Sequence, residues 1–564
     1  MEKALTLPEI LERIGNYLNH TDIISCIRVC KAWKAEFEPR LWRSFKLNFF
    51  VPESELPHLP AQQNGKHIGF SVAQRAPSQT LMQQNGKHIR ELTLNGMNLE
   101  YWSTSIPHCS NLDEVTFMVP WPLRLEGKGL VMTDFGKMIK NHPRLRKIVL
   151  ESSGGSIYPT HEFLEDLTTC PRLIVLETND CIFDGPLTEQ YMRACASNIR
   201  RLSSRGDVFS RDFTISSDLV FEELRYFDLR DIEGMSEDTK LSWISRCPNL
   251  ISLRWETGSE IPAAKFSQII PSACPNLTAL HLVSPILDED IARILEVIPR
   301  IEKLSLTNTH AGRGAFEALR RHFPTLKDIN LQFCMYVESP MIQEILSSCP
   351  KLQSISAEIL EYEDMPEQQP WVCRNLQMFD VGIQIAPLSF SRQRDLSEIA
   401  RWDAKHRLVY GRLAQLAGLQ YLSICNNSQR PNSAQRSKWL QLSLNAGLGQ
   451  LETLKQLKFF SCKHFMATAF DKGEADGVVR WILEHWRKLE SLEGMTGKEA
   501  SKATAVLEMM KARDVEFIDY MDYHDEADES YIFSERELDD DDDDFSDEEL
   551  GHMGSEDSDD SFVW

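Results

Sequence analysis

Cys247-Pro-Asn-Leu250-Ile-Ser-Leu253-Arg-Trp255, Cys274-Pro-Asn-Leu277-Thr-Ala-Leu280-His-Leu282 and Pro299-Arg-Ile301-Glu-Lys-Leu304-Ser-Leu306 are three copies of one frame. An apolar anchor is followed by apolar residues three and five positions on. The last two alternate with polar residues, which is the period of a strand with one buried face. The anchor recurs at Ile89, Leu112, Leu145, Leu173, Ile199, Leu224, Leu250, Leu277, Ile301, Leu326, Leu352, Leu376, Leu419, Leu454 and Leu489. From Leu173 to Leu376 the steps are 26, 25, 26, 27, 24, 25, 26 and 24 residues. Elsewhere they widen to 33, 43 and 35, which predicts longer helices or loops there. The copies at Ile199, Leu352 and Leu489 are weak in their last position, where Ser204, Ala357 and Gly494 stand.

Between the frames lie helical segments. In Asp288-Glu-Asp-Ile291-Ala-Arg-Ile294-Leu295-Glu-Val-Ile298 the apolar residues form one stripe, with Asp288 placed to cap the helix and Pro299 to end it. A strand–helix unit of this size cannot bury its own apolar face, so units must stack. Each fully buried leucine contributes about 1.5–3 kcal/mol, so the anchors together make a continuous core. The period falls in the leucine-rich-repeat range. The expected fold class is α/β: a horseshoe solenoid with a parallel sheet on its concave face and helices outside. The gap 383–418, with Ile399, Trp402, Val409 and Leu413, reads as helices on the outer side. Residues 498–512 read as a last helix and Val515-Glu-Phe517-Ile518 as a closing strand.

Cysteine stands where helix meets strand at Cys109, Cys170, Cys195, Cys247, Cys274, Cys349 and Cys373. Small buried thiols explain this better than a metal array, because no Cys-x-x-Cys pair occurs and zinc needs a full ligand set. The placement resembles the cysteine-containing class of leucine-rich repeats common in F-box proteins.

Residues 7–42 carry a second pattern. Pro8 suits a first helical position. Ile10, Leu11, Ile14 and Leu18 form a stripe. Thr21 and Asp22 open a second helix with Ile23, Ile24 and Ile27, and Val29-Cys30-Lys31-Ala32-Trp33 leads into a third that ends near Pro39. So short a chain makes little core, yet it is rich in apolar residues, so part of that surface must face a neighbour. The segment resembles the F-box motif, from Leu7-Pro8 through Asp22-Ile-Ile to Val29-Cys30-Lys-x-Trp33 and Leu41-Trp42. One residue fewer than usual separates Leu7-Pro8 from Ile10. The whole layout resembles F-box/leucine-rich-repeat proteins of fungal type. That resemblance implies docking to the Skp adaptor of a cullin-RING (SCF-type) ubiquitin ligase. It assigns the contact to Leu7, Pro8, Ile10, Leu11, Ile14, Ile23, Val29, Cys30 and Trp33.

The expected divisions are 1–48 for the F-box, 49–87 for a linker, 88–518 for the solenoid and 519–564 for a disordered acidic tail. Within the linker, Gln62-Gln-Asn-Gly-Lys-His-Ile68 recurs unchanged as Gln83–Ile89, and only the second copy leads into a frame. The net charge of the whole chain is −23. Residues 519–564 hold 21 acidic residues against Arg536, a net of −20, so the remaining 60 basic and 63 acidic residues nearly balance. Like-charge blocks of this kind do not bury a core. Ser546, before Asp547-Glu-Glu, resembles an acidophilic kinase site. No eighteen-residue apolar run and no apolar leader occur, so neither a membrane span nor secretion is expected. A cytoplasmic or nuclear location is expected instead. No phosphate loop, zinc-protease motif or nucleophile elbow appears, and no basic patch interleaved with aromatics. The expectation is therefore a non-enzymatic protein without cofactor or nucleic-acid partner.

The leading functional expectation is the substrate receptor of such a ligase. The alternative is a scaffold that binds histones or other basic proteins through the acidic tail. Strand alternation turns one set of residues away from the core. In the regular region these are Tyr226, Asp228, Arg230, Ser252, Arg254, Glu256, His281, Lys303, Asp328, Asn330 and Gln332, the expected target-binding strip. Tyr421 and Ser423 mark an alternative stretch nearer the C-terminus.

Overall fold

The structure is a computed structural model. It describes residues 8–15, 17–48, 69–71, 82–95, 106–119, 130–131, 139–152, 156–211, 213–366, 368–386, 396–424, 440, 442–466, 472–495, 508 and 510–519. The tail beyond 519, Leu7, the first copy Gln62–Ile68 and all of 498–507 lie outside these residues. The chain separates into two units, 1–518 and 519–564.

Among the described residues, the first unit is built on one sheet of eighteen strands. Strands Tyr226–Arg230, Ser252–Glu256, Ala279–Val283, Lys303–Ser305, Asp328–Asn330, Ser354–Glu361 and Met378–Gln384 follow one another as parallel neighbours in chain order. The same step continues to Tyr421–Ser423, Phe459–Met466 and Ser491–Met495. Toward the N-terminus it runs back through Arg201–Arg205, Val175–Asn179, Lys147–Ser152 and Glu114–Val119 to Glu91–Asn95. All fifteen anchors are buried, none more than 6% exposed.

One hydrogen-bond device joins each repeat to the next. The carbonyl just before a strand accepts two consecutive N–H groups from the following repeat. Arg225 O takes Ile251 N at 2.8 Å and Ser252 N at 3.0 Å, and Ile251 O takes Thr278 N and Ala279 N, both at 3.0 Å. The Asn of the Cys-Pro-Asn step adds a side-chain rung, Asn249 Nδ2 to Glu222 O at 3.0 Å. The cysteines finish the helix ends. Cys247 Sγ donates to Trp243 O at 3.4 Å and Cys274 Sγ to Ile244 O at 3.3 Å. Burial pushes the thiols up, to about 12 for Cys109, Cys274 and Cys349.

Several local expectations need correction. Asp288 does not cap its own helix, Asp288–Val297, whose N-cap is Leu287. Its carboxylate instead accepts Gly312 N at 2.7 Å, Gly314 N at 2.7 Å and Ala315 N at 2.8 Å, the first N–H groups of the next repeat's helix, Arg313–Leu319. Those donors have no partner inside their own helix, and a carboxylate there also meets the positive end of the helix dipole. The gap 383–418 holds one long helix, Leu396–Ala414, whose Val409, Tyr410 and Leu413 are fully buried. Strand Glu516–Asp519 closes the described chain, with Glu516 N donating to Glu490 O at 2.9 Å. The segment read as a linker contributes strand Gly69–Ser71, directly after the first copy of the duplicated heptapeptide.

Candidate partner-binding surfaces

Three helices open the chain: α1 Pro8–Gly15, α2 His20–Cys26 and α3 Lys31–Leu41. Helix α2 starts one residue earlier than Thr21-Asp22 suggests. Asn19 is its N-cap and Asp22 its third residue, forming a capping box with Asp22 N to Asn19 Oδ1 at 2.9 Å. Pro39 lies inside α3 rather than ending it. Helices α1 and α3 approach closely at Gly15, where a Cβ would stand 2.4 Å from the Arg40 guanidinium.

Leu11, Ile23 and Phe37 form the core of these helices, with Ile14, Leu18, Ile27 and Trp33 packed on it. Trp33 meets Phe37 edge-on at 5.5 Å. The candidate adaptor residues therefore divide. Leu11 and Ile23 face inward. Ile10, Ile14 and Trp33 are half-buried. Cys30 is exposed, and Val29 is 62% exposed. Pro8 is the first residue of α1. The sequence reading passed over Tyr17, which is 90% exposed beside the same helices; no periodic signal marks it, because it follows the end of α1.

The helices lead into the repeats through Trp42 and the strand that follows it. Trp42 packs on the solenoid core and meets Phe45 at 5.8 Å. Strand Ser44–Asn48 then runs parallel to Glu91–Asn95, Ser44 opposite Glu91 and Asn48 opposite Asn95. On its other side it pairs with Gly69–Ser71.

The positions that alternation turns away from the core form one registered row, partly open at Asp228, Arg254 and Asn330 and buried at Ser305, Ser356, Asp380, Ser423 and Ser461. Asp228, Arg254, His281, Ser305, Asn330, Ser356, Asp380, Ser423, Ser461 and Glu493 stand opposite one another in successive strands. Its charges pair internally. Arg230 makes a bidentate contact with Asp228, 2.9 and 2.6 Å. Arg254 bonds Glu256 at 2.8 Å and reaches Asp228 at 3.8 Å. Lys303 meets Asp328 at 2.5 Å. His281 lies in the field of this cluster, its imidazolium disfavoured first by burial and then by Arg254. Tyr226 carries Arg201 over its ring at 5.6 Å, beside Ser252 in register. Asn330 caps Gln332 N at 3.0 Å, while Gln332 reaches away to Asp380 at 2.8 Å. Farther along, Tyr421 stacks on Phe459 at 4.3 Å, and Ser423 and Ser461 are fully buried.

Residues 8–48 match the F-box-like family model. The boundary falls at the end of strand Ser44–Asn48, so the F-box-like segment includes the strand that joins it to the repeats. Among solved structures, the crystal structure of the Rad7 and Elc1 complex in yeast is similar at 11% identity. The match covers 76% of this chain and 86% of that one, with a TM-score of 0.33. No curated protein matches the chain.

Proposed function

We propose that this chain is the substrate-receptor subunit of a cullin-RING (SCF-type) ubiquitin ligase. Its F-box-like helices bind the Skp adaptor and its repeats hold a protein target. The observation that carries the reading is the F-box-like segment fused in register to a long repeat sheet. Such a receptor performs no chemistry. It raises the local concentration of acceptor lysines by holding the target at a fixed distance from the ligase. It acts in the cytoplasm, the nucleus or both. Of the nine residues assigned to adaptor contact, Val29 and Cys30 stand outward between α2 and α3.

Co-purification with a Skp-family adaptor tests this. The wild-type chain should bind. Val29→Glu with Cys30→Glu should weaken binding by about tenfold or more, as expected for exposed anchors, with the circular dichroism of the repeats unchanged. Replacement of Leu7 and Pro8 should do the same. A wild-type chain that fails to bind any such adaptor sinks the reading.

A further inference from the structure

Of three neighbouring strand-to-helix loops, the first and third carry large apolar side chains into solvent, and the loop between them is flush. Leu287 is 48% exposed, Phe333 44%, Met335 69% and Tyr336 58%. Elsewhere among the described repeats the exposed large apolar residues are Val220, Tyr226, Ile251 and Leu444. Here they adjoin. Leu287 precedes Asp288, whose carboxylate holds Gly312 N, and a Cβ on Gly312 would stand 3.1 Å from the Cβ of Tyr336. Tyr336 also faces the ring of His310 at 6.1 Å, and Met335 N donates to Thr309 O at 3.3 Å. The loops thus form one rim.

Phe333 is held at φ 60°, a backbone region that bulky residues enter only under constraint. The neighbouring residues are held: Cys334 Sγ donates to Leu306 O at 2.7 Å and Met335 N to Thr309 O at 3.3 Å. The turn spends backbone strain and still sends an aromatic ring outward. A purely structural turn would place Gly or Asn there and keep the ring inside.

The rim is also acidic. Segments 284–290, 307–313, 332–339 and 358–364 contain eight carboxylates and one arginine, Arg313, on a body whose charges otherwise nearly balance. Some are engaged: Asp290 with Arg293, Glu363 with Lys405. Glu289, Glu338 and Glu361 have no ion-pair partner among the described residues.

We propose that this rim is a docking site for an extended protein segment in which lysine or arginine alternates with large apolar side chains. Contiguous exposed apolar surface marks interaction sites. Tyr336 and Phe333 offer ring faces to cations, and the unpaired carboxylates attract basic partners and repel acidic ones. In the strip beside it Arg230, Arg254 and Lys303 are each paired with a carboxylate. The inference stands on this surface alone and needs no adaptor, so its failure leaves the receptor reading untouched.

Fluorescence anisotropy with the full chain tests it, at roughly 0.15 M salt so that long-range attraction is screened. The probe is a labelled twelve-residue peptide alternating lysine or arginine with leucine or phenylalanine. A second peptide has serine at every apolar position, and a third has glutamate at every basic one. The first should bind about tenfold more tightly than the second, and the third not at all. Met335→Ser with Tyr336→Ser should remove that advantage and leave the serine peptide's binding, which reports acidic charge anywhere on the chain, unchanged. Glu338→Lys with Glu361→Lys should weaken the first peptide as well. Phe333→Gly should melt no lower than wild type yet bind the first peptide less tightly. Equal binding of the first two peptides, no binding of the first, or full affinity in the Met335/Tyr336 variant overturns the proposal.

Discussion

Replacing Asp207 by asparagine should change how stability depends on pH. Asp207 is fully buried. Its carboxylate accepts Cys181 N at 2.8 Å and the hydroxyls of Thr178 and Ser204. Burial dominates those hydrogen bonds and pushes the carboxyl from an ordinary 3.8 up to about 7. A shift of that size is worth on the order of 4 kcal/mol between protonation states. The sign follows from linkage: a raised acid keeps its proton in the fold after the unfolded chain has lost it. Its stabilising contribution is complete below pH 3.8 and declines by about 1.4 kcal/mol per pH unit until the folded group ionises near 7. Asparagine does not titrate, and its amide oxygen still accepts from Cys181 N. The stability difference between Asp207→Asn and wild type should therefore move in the variant's favour by about 3 kcal/mol between pH 4.5 and 7.5. Urea unfolding of both proteins across that range measures it, with other titrating groups cancelling in the difference. A difference that stays flat with pH would refute the argument.

Asp288→Ala should strand three helix N-terminal donors and destabilise the chain by about 2–4 kcal/mol. Hydrogen exchange should locate the effect at 312–315, in the repeat after the substitution, and Asp288→Asn should be milder. Arg254→Glu should lower stability by roughly 1 kcal/mol, the scale of partly exposed ion pairs, by setting a third carboxylate beside Asp228 and Glu256. Arg254→Gln should lower it less, and thermal melts of the two variants side by side decide whether charge is the cause.

Repeats expose their fold in sequence because each anchor, strand and helix is a local pattern, and the fifteen anchors all reach the core for that reason. What joins one repeat to the next is not local. Asp288 looks like a cap for its own helix because the helix it serves begins more than twenty residues later. Ser204 looks like a decayed anchor. It becomes intelligible only when register sets it beside Thr178, so that both hydroxyls reach Asp207 from adjacent strands. Alternation showed which side of the sheet Arg230 and Arg254 occupy, but not that each spends its charge on a neighbour in its own strand. The same limit applies to the first helices. Periodicity groups Leu11 with Ile10 and Ile14, and only packing separates the one that fills the core from those left partly open.

The join between the F-box-like segment and the repeats bears on how a receptor of this design would work. Proximity serves ubiquitin transfer only if adaptor and target are held in a constant relation. Here that relation does not pass through residues 49–90. Strand Ser44–Asn48 is hydrogen-bonded along its length to Glu91–Asn95, and Arg43 O accepts both Arg90 N and Glu91 N at 2.9 Å, the same two-donor device that joins every later repeat. The intervening segment adds Gly69–Ser71 to the other side of Ser44–Asn48 and returns at Glu91–Asn95. Mechanically, Ser44–Asn48 behaves as the first repeat strand.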